Sequence, residues 1–152
     1  MYRSKGTIVV PVQPITKPVW KSVGRYGGHW GSKTYQKFLR EITEPLASAC
    51  KNIDILWEPL EVTIKVRASR PKKSKFPFPQ GDWDNFSKAI CDALTEVLWI
   101  DDWQIQRGYL DKEWADPGEA GYFSVQWKTL PMDHKKFPIF TERKIQWELA
   151  NG

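Results

Sequence analysis

Residues 82–98 read DWDNFSKAICDALTEVL. Within this run Phe86, Ala89, Ile90, Ala93, Leu94, Val97 and Leu98 recur at i, i+3, i+4, i+7, i+8, i+11 and i+12. That spacing is one apolar stripe on a helix, so the stretch predicts an α-helix from Asp84 to about Leu98. Asp82 or Asp84 can cap its start. A second face carries Asp84, Lys88 and Asp92 in an i, i+4, i+8 row. At about 1.5 Å of rise per residue, Asp84 and Asp92 stand roughly 12 Å apart along the axis. Two short side chains do not share an ion over that gap. Asp92 therefore ranks below Asp84 as a direct ligand, and it suits a pairing with Lys88.

On either side of this helix the pattern changes period. Residues 60–68 (LEVTIKVRA) alternate: Leu60, Val62, Ile64, Val66 and Ala68 point one way, Glu61, Thr63, Lys65 and Arg67 the other. This predicts a strand with one buried and one wet face. Residues 6–12 (GTIVVPV) are β-branched and predict another strand. A helix is expected from Lys33 to about Cys50, capped by Ser32, with Tyr35, Phe38, Leu39, Ile42, Leu46 and Ala49 as its stripe. Residues 104–114 and 122–130 read as strands. The turn-rich ADPGEAG of 115–121 joins them, which predicts a hairpin. From Pro131 the pattern weakens, with a short helix over 141–149 that puts Ile145 and Leu149 on one side. The expected architecture is a single α+β domain, a mixed β-sheet packed against two main helices. It occupies residues 1–130, and 131–152 form a C-terminal extension.

A chain of 152 residues is large enough for one core. No apolar run is long enough to cross a bilayer. The apolar stretch 8–12 is too short for a signal peptide, so a soluble cytoplasmic protein is expected. Cys50 and Cys91 belong to no CxxC pair and read as small buried residues. The net charge of +5 is unevenly spread. Residues 1–81 carry 15 Lys/Arg and five Asp/Glu, whereas residues 82–152 carry eight and 13. Surface solvation alone can produce such a split. So can a division of labour in which one half meets a polyanion and the other gathers carboxylates.

The cations stand in two places. Residues 13–31 form a long loop in which Lys17, Lys21 and Arg25 alternate with Trp20, Tyr26 and Trp30. Basic and aromatic residues so interleaved suit phosphate contact and base stacking, or simply cover a core. Lys33 begins the helix that follows. The second place is the turn Arg70, Lys72, Lys73 and Lys75, which leads through a Pro-rich run to Asp82.

Ten of the 18 acids fall within residues 82–119. Asp82 and Asp84 are two apart in a segment entering a helix, where i and i+2 point the same way. Asp101 and Asp102 follow the same helix. Carboxylates forced together repel unless a cation intervenes, and hard ions such as Mg²⁺ take carboxylate oxygens while keeping waters. Lys88, one turn from Asp84, can reach a phosphate beside such an ion. Helix capping and a plain turn would also explain these acids taken singly.

The run 81–94, GDWDNFSKAICDAL, resembles the D-x-D-N-x-x-K-x-x-x-D-A-L signature of RusA-like Holliday-junction resolvases. The likeness continues through Trp99, the pair Asp101 and Asp102, and the strand with Lys112. The resemblance implies a bacterial or phage-encoded homodimer that cuts four-way and other branched DNA with Mg²⁺, Mn²⁺ being the alternative ion. It implies Asp82, Asp84 and Asp102 as metal ligands and Lys88 as catalytic cation; beside them Asp92 and Asp101 are expected as supporting acids. Trp103, at a place that is usually small or polar, and the tail 131–152 depart from the pattern. In the expected reaction the metal activates a water for phosphodiester hydrolysis, and His29 and His134 lie outside the acidic cluster. Two other readings are a nucleic-acid-binding module without catalysis and a metal nuclease acting on flaps.

Overall fold

The computed structural model describes residues 4–16 and 32–152. Four strands, β1 (Lys5–Val10), β2 (Leu60–Ala68), β3 (Ile105–Trp114) and β4 (Tyr122–Thr129), form one mixed sheet in the order β1-β4-β2-β3. Among the described residues three α-helices accompany it, α1 (Ser32–Cys50), α2 (Trp83–Leu94) and α3 (Ile139–Asn151), with a 3-10 turn at Asp102–Gln104. The predicted α+β architecture is thus present.

The strict alternation of β2 explains its place inside the sheet. Leu60, Val62, Ile64, Val66 and Ala68 are all buried. Ile64 pairs with Leu110 on one side and Val125 on the other, and Val66 with Lys112 and Phe123. The face so formed, extended by Ile8, Val10, Phe123, Val125 and Trp127, packs against Phe38, Ile42 and Leu46 of α1 and Phe86, Ala89, Ile90 and Leu94 of α2. The other face is polar. There Arg67 reaches Asp111 at 3.1 Å and Glu113 at 3.5 Å, and Arg107 reaches Glu61 at 3.8 Å.

Three expectations need correction. First, β3 and β4 are not a hairpin, because β2 lies between them, parallel to β3 and antiparallel to β4. The seven residues 115–121 step across the end of β2, where the Ala115 amide donates to the Ala68 carbonyl at 2.8 Å. Strands lie about 4.8 Å apart, so such a connector easily spans one intervening strand. Second, α2 ends at Leu94, since Thr95 is extended (ψ 131°) and its hydroxyl donates to the Cys91 carbonyl at 2.9 Å. Glu96 then takes a left-handed φ of 66°, which re-aims the chain so that Leu98 and Trp99 remain buried while Val97 does not. Third, α3 is longer than expected and rotated. Ile145 and Leu149 are exposed, and α3 instead uses Phe140, Arg143 and Trp147 for contact.

Candidate active site

The start of α2 is held by the edge strand β3. Trp114 Nε1 donates to the Phe76 carbonyl at 2.8 Å, and Trp83 Nε1 to the Leu110 carbonyl at 2.8 Å. Between them Lys112 Nζ donates to the carbonyls of Pro79 (2.9 Å) and Gly81 (2.6 Å), with its ammonium over the Phe78 ring. Lys112 sits beside Val66 on the core face of the sheet, so its ammonium is spent on backbone rather than on an acid. Gly81 is required by space, because a Cβ there would meet Thr16 Cγ2 at 2.5 Å and Phe86 Cε2 at 2.6 Å. The chain therefore enters Asp82 along a fixed path.

Asp82 is the last extended residue before α2 (φ −64°, ψ 138°), and its side chain makes no capping hydrogen bond. The capping role open to it in the sequence is not taken up. Both Asp82 and Asp84 are exposed, at a helix start whose free N–H groups favour negative charge.

Asp101 and Asp102 are positioned by Gln104, the buried polar residue of the core. Its Oε1 accepts from the Ile100 amide (2.9 Å) and the Asp101 amide (3.0 Å). Its Nε2 donates to the Leu56 and Glu58 carbonyls, both at 3.0 Å. Asp101 and Gln104 form a reciprocal capping box, each side chain accepting from the other's amide, and the Asp101 carboxylate also accepts from the Asp102 amide at 2.7 Å. Every polar group of Gln104 is thus used, and the acidic turn is pinned to the segment 56–58. Sequence reading passed over Gln104, although Asp101-x-x-Gln104 is a capping-box signature that could have flagged it.

The acidic turn is within electrostatic reach of the middle of α2. Partial desolvation, a hydrogen bond with Asp101 and the charges of Asp101 and Asp92 hold the Asp102 carboxyl above the usual carboxylate range; Lys88 pulls the other way. Cys91 belongs to the same neighbourhood: burial, with the charges of Asp102 and Asp92, pushes its thiol up to about 11 against a hydrogen bond from Ser87. It is no thiolate nucleophile at neutral pH. Lys88, Asp92 and Asp101 thus lie within electrostatic reach of Asp102, while Asp82 and Asp84 stand at the start of the same helix as Lys88 and Asp92. Among the described residues no three His, Cys, Asp or Glu side chains are gathered closely enough to hold a metal ion. The donor chemistry nonetheless fits a hard cation, since all the candidates are carboxylates and Asp102 already bears like-charge crowding.

Of the expected DNA-contacting cations, Lys17, Lys21 and Arg25 lie outside the described residues, as do Trp20, Tyr26, His29 and Trp30. Lys33, Arg70, Lys72, Lys73 and Lys75 are exposed. Arg70 closes its own turn by donating to the Ser74 carbonyl at 3.1 Å. Among the described residues a cleft of about 580 Å³ is lined by Pro71 of the basic turn and by Gln80 and Gly81, just ahead of Asp82. Asp111 and Glu113 pair with Arg67 on the wet face of the sheet and take no part in the site. No helix among the described residues is long and apolar enough to cross a membrane.

The sequence model of the endodeoxyribonuclease RusA family matches residues 10–120. No curated protein matches the chain.

Proposed function

The chain belongs to the RusA endodeoxyribonuclease family, whose members resolve Holliday junctions, and we propose that it cuts such junctions at a Mg²⁺ site built from Asp82, Asp84 and Asp102. It is an endodeoxyribonuclease of branched DNA. What supports this reading is the electrostatics of Asp102, which feels Asp101, Asp92 and the opposing charge of Lys88 on the helix that Asp82 and Asp84 begin.

Asp82, Asp84 and Asp102 would hold the ion, Mg²⁺ or in its place Mn²⁺. When bound, such an ion supplies charge to a phosphate oxygen and a water of lowered pKa. Asp92 and Asp101 support Asp102 by charge and hydrogen bonding. Lys88 places an ammonium where negative charge grows on the phosphate in the transition state. No protein nucleophile is needed, as Cys91 stays a thiol and His134 is exposed in the tail. We assign this chemistry to residues 1–130 and the working unit to a homodimer, because a two-fold pair of sites matches the two symmetric cuts that resolve a junction.

The test is cleavage of a labelled four-way junction with Mg²⁺. Asp82→Asn, Asp84→Asn and Asp102→Asn should each abolish cutting, while junction binding in chelator survives. Wild-type turnover by any one of them removes that residue from the site.

A further inference from the structure

The helix α3 lies beyond the residues that match the family, yet it docks beside the acidic turn. Phe140, Arg143 and Trp147 form one stripe at helical spacing. Trp147 meets Trp57 edge-on, with centroids 6.0 Å apart. Phe140 packs on Trp103 at 5.5 Å, and the Arg143 guanidinium lies over the same Trp103 ring at 5.3 Å. Trp103 directly follows Asp102 in the chain, so the anchor of α3 and the proposed metal ligand are neighbours about 3.8 Å apart at Cα.

Arg143 is exposed and, among the described residues, it forms no ion pair. Its guanidinium carbon lies 5.3 Å from the ring centroid and, among the described residues, its N–H groups make no hydrogen bond. The N–H donors lie in the plane of the guanidinium and stay available, a fork that matches two oxygens of a phosphate. The ring beneath restricts the side chain without neutralising it. A DNA strand brought to Asp102 passes a carboxylate-rich turn that repels its flanking phosphates. A fixed cation at this edge offsets that repulsion. The tail as a whole is not basic, with four Lys/Arg against three acids in residues 131–152, so the role falls to one residue rather than to a strip.

We propose that Arg143, stacked on Trp103, is a phosphate-contacting residue that holds the DNA backbone next to the cleavage site. The proposal rests on the reading that Asp102 marks that site. The test uses the full chain, a fluorescent four-way junction and chelator, so that binding is read without cutting. Dissociation constants are measured across a salt series for wild type, Arg143→Met, Arg143→Lys and Arg143→Glu. Met still covers the Trp103 ring but has no donors. Each lost phosphate contact should make the log Kd against log salt plot shallower by about 0.9. Arg143→Met should show that loss with a thermal midpoint near wild type. Arg143→Lys should keep most of the slope, and Arg143→Glu should bind most weakly. An unchanged slope and affinity in both Arg143→Met and Arg143→Glu would overturn the proposal and make Arg143 a staple for α3. Cleavage with Mg²⁺ by the same wild-type preparation separates the two readings. A protein that binds but never cuts defeats the nuclease site while leaving the Arg143 slopes interpretable. One that cuts, with flat Arg143 variants, defeats only this proposal.

Discussion

Lys88 is the residue on which mechanism and mere packing diverge most. It is exposed on α2 and close enough to Asp102 to favour the charged carboxylate. If its role were only that pairing, its loss would cost at most roughly 0.5 kcal/mol, as for exposed helix pairs. If it stabilises charge in the transition state, losing it costs about 2.7–4 kcal/mol of barrier. Lys88→Met should therefore keep the fold and most junction affinity, yet slow single-turnover cleavage roughly a hundredfold or more. Lys88→Arg should restore only part of the rate, since a planar fork replaces a compact ammonium poorly. Cutting by Lys88→Met at the wild-type rate would reduce Lys88 to a surface partner. At this scale spacing singles out the acids and Lys88 as candidates, and the family resemblance chooses among them. For Gln104 the sequence offers only the capping-box spacing to Asp101, and the fold shows that its side chain is buried and fully bonded.

Among the elements, β3 does more than close the sheet. Its Lys112 and Trp114 side chains, with its Leu110 carbonyl, grip residues 76–83 just ahead of α2. Lys112→Met keeps the stem beside Val66 but leaves the Pro79 and Gly81 carbonyls without their donor. Residues that orient metal ligands typically change metal affinity 10–100-fold when replaced. The Mg²⁺ concentration for half-maximal cleavage should rise by about that factor in Lys112→Met. A Mg²⁺ titration superimposable on wild type would show that the grip serves stability alone. The elements themselves were legible from their periods, 2 for β2 and 3.6 for α1 and α2. Their pairing was less so. Turn-forming residues at 115–121 suggested a hairpin, whereas the order β2, α2, β3 is a strand–helix–strand unit that favours parallel neighbours. The end of α2 was missed because Val97 and Leu98 continue the apolar stripe after the backbone has left the helix at Thr95. In α3 the exposed Ile145 and Leu149 misled, since the contacts of that helix are aromatic and cationic and lie on its other side.

Over the whole molecule, the division into a basic first half and an acidic second half becomes spatially meaningful through the fold. The basic turn at Arg70–Lys75 runs into the segment that β3 holds, and that segment ends at Asp82. Gln104 ties the acidic turn to residues 56–58, and α3 closes over Trp103. A site with acids to gather a cation and cations to gather phosphates should act on branched DNA only when the ion is supplied. The most direct measurement places a four-way junction, a flap and a linear duplex of the same sequence side by side, under single-turnover conditions, with Mg²⁺ and with chelator. The account predicts paired cuts in opposing strands of the four-way junction with Mg²⁺, little cutting of flap or linear duplex, and none of any substrate in chelator. Cutting that persists in chelator, or that proceeds as fast on the flap or linear duplex as on the junction, would contradict it.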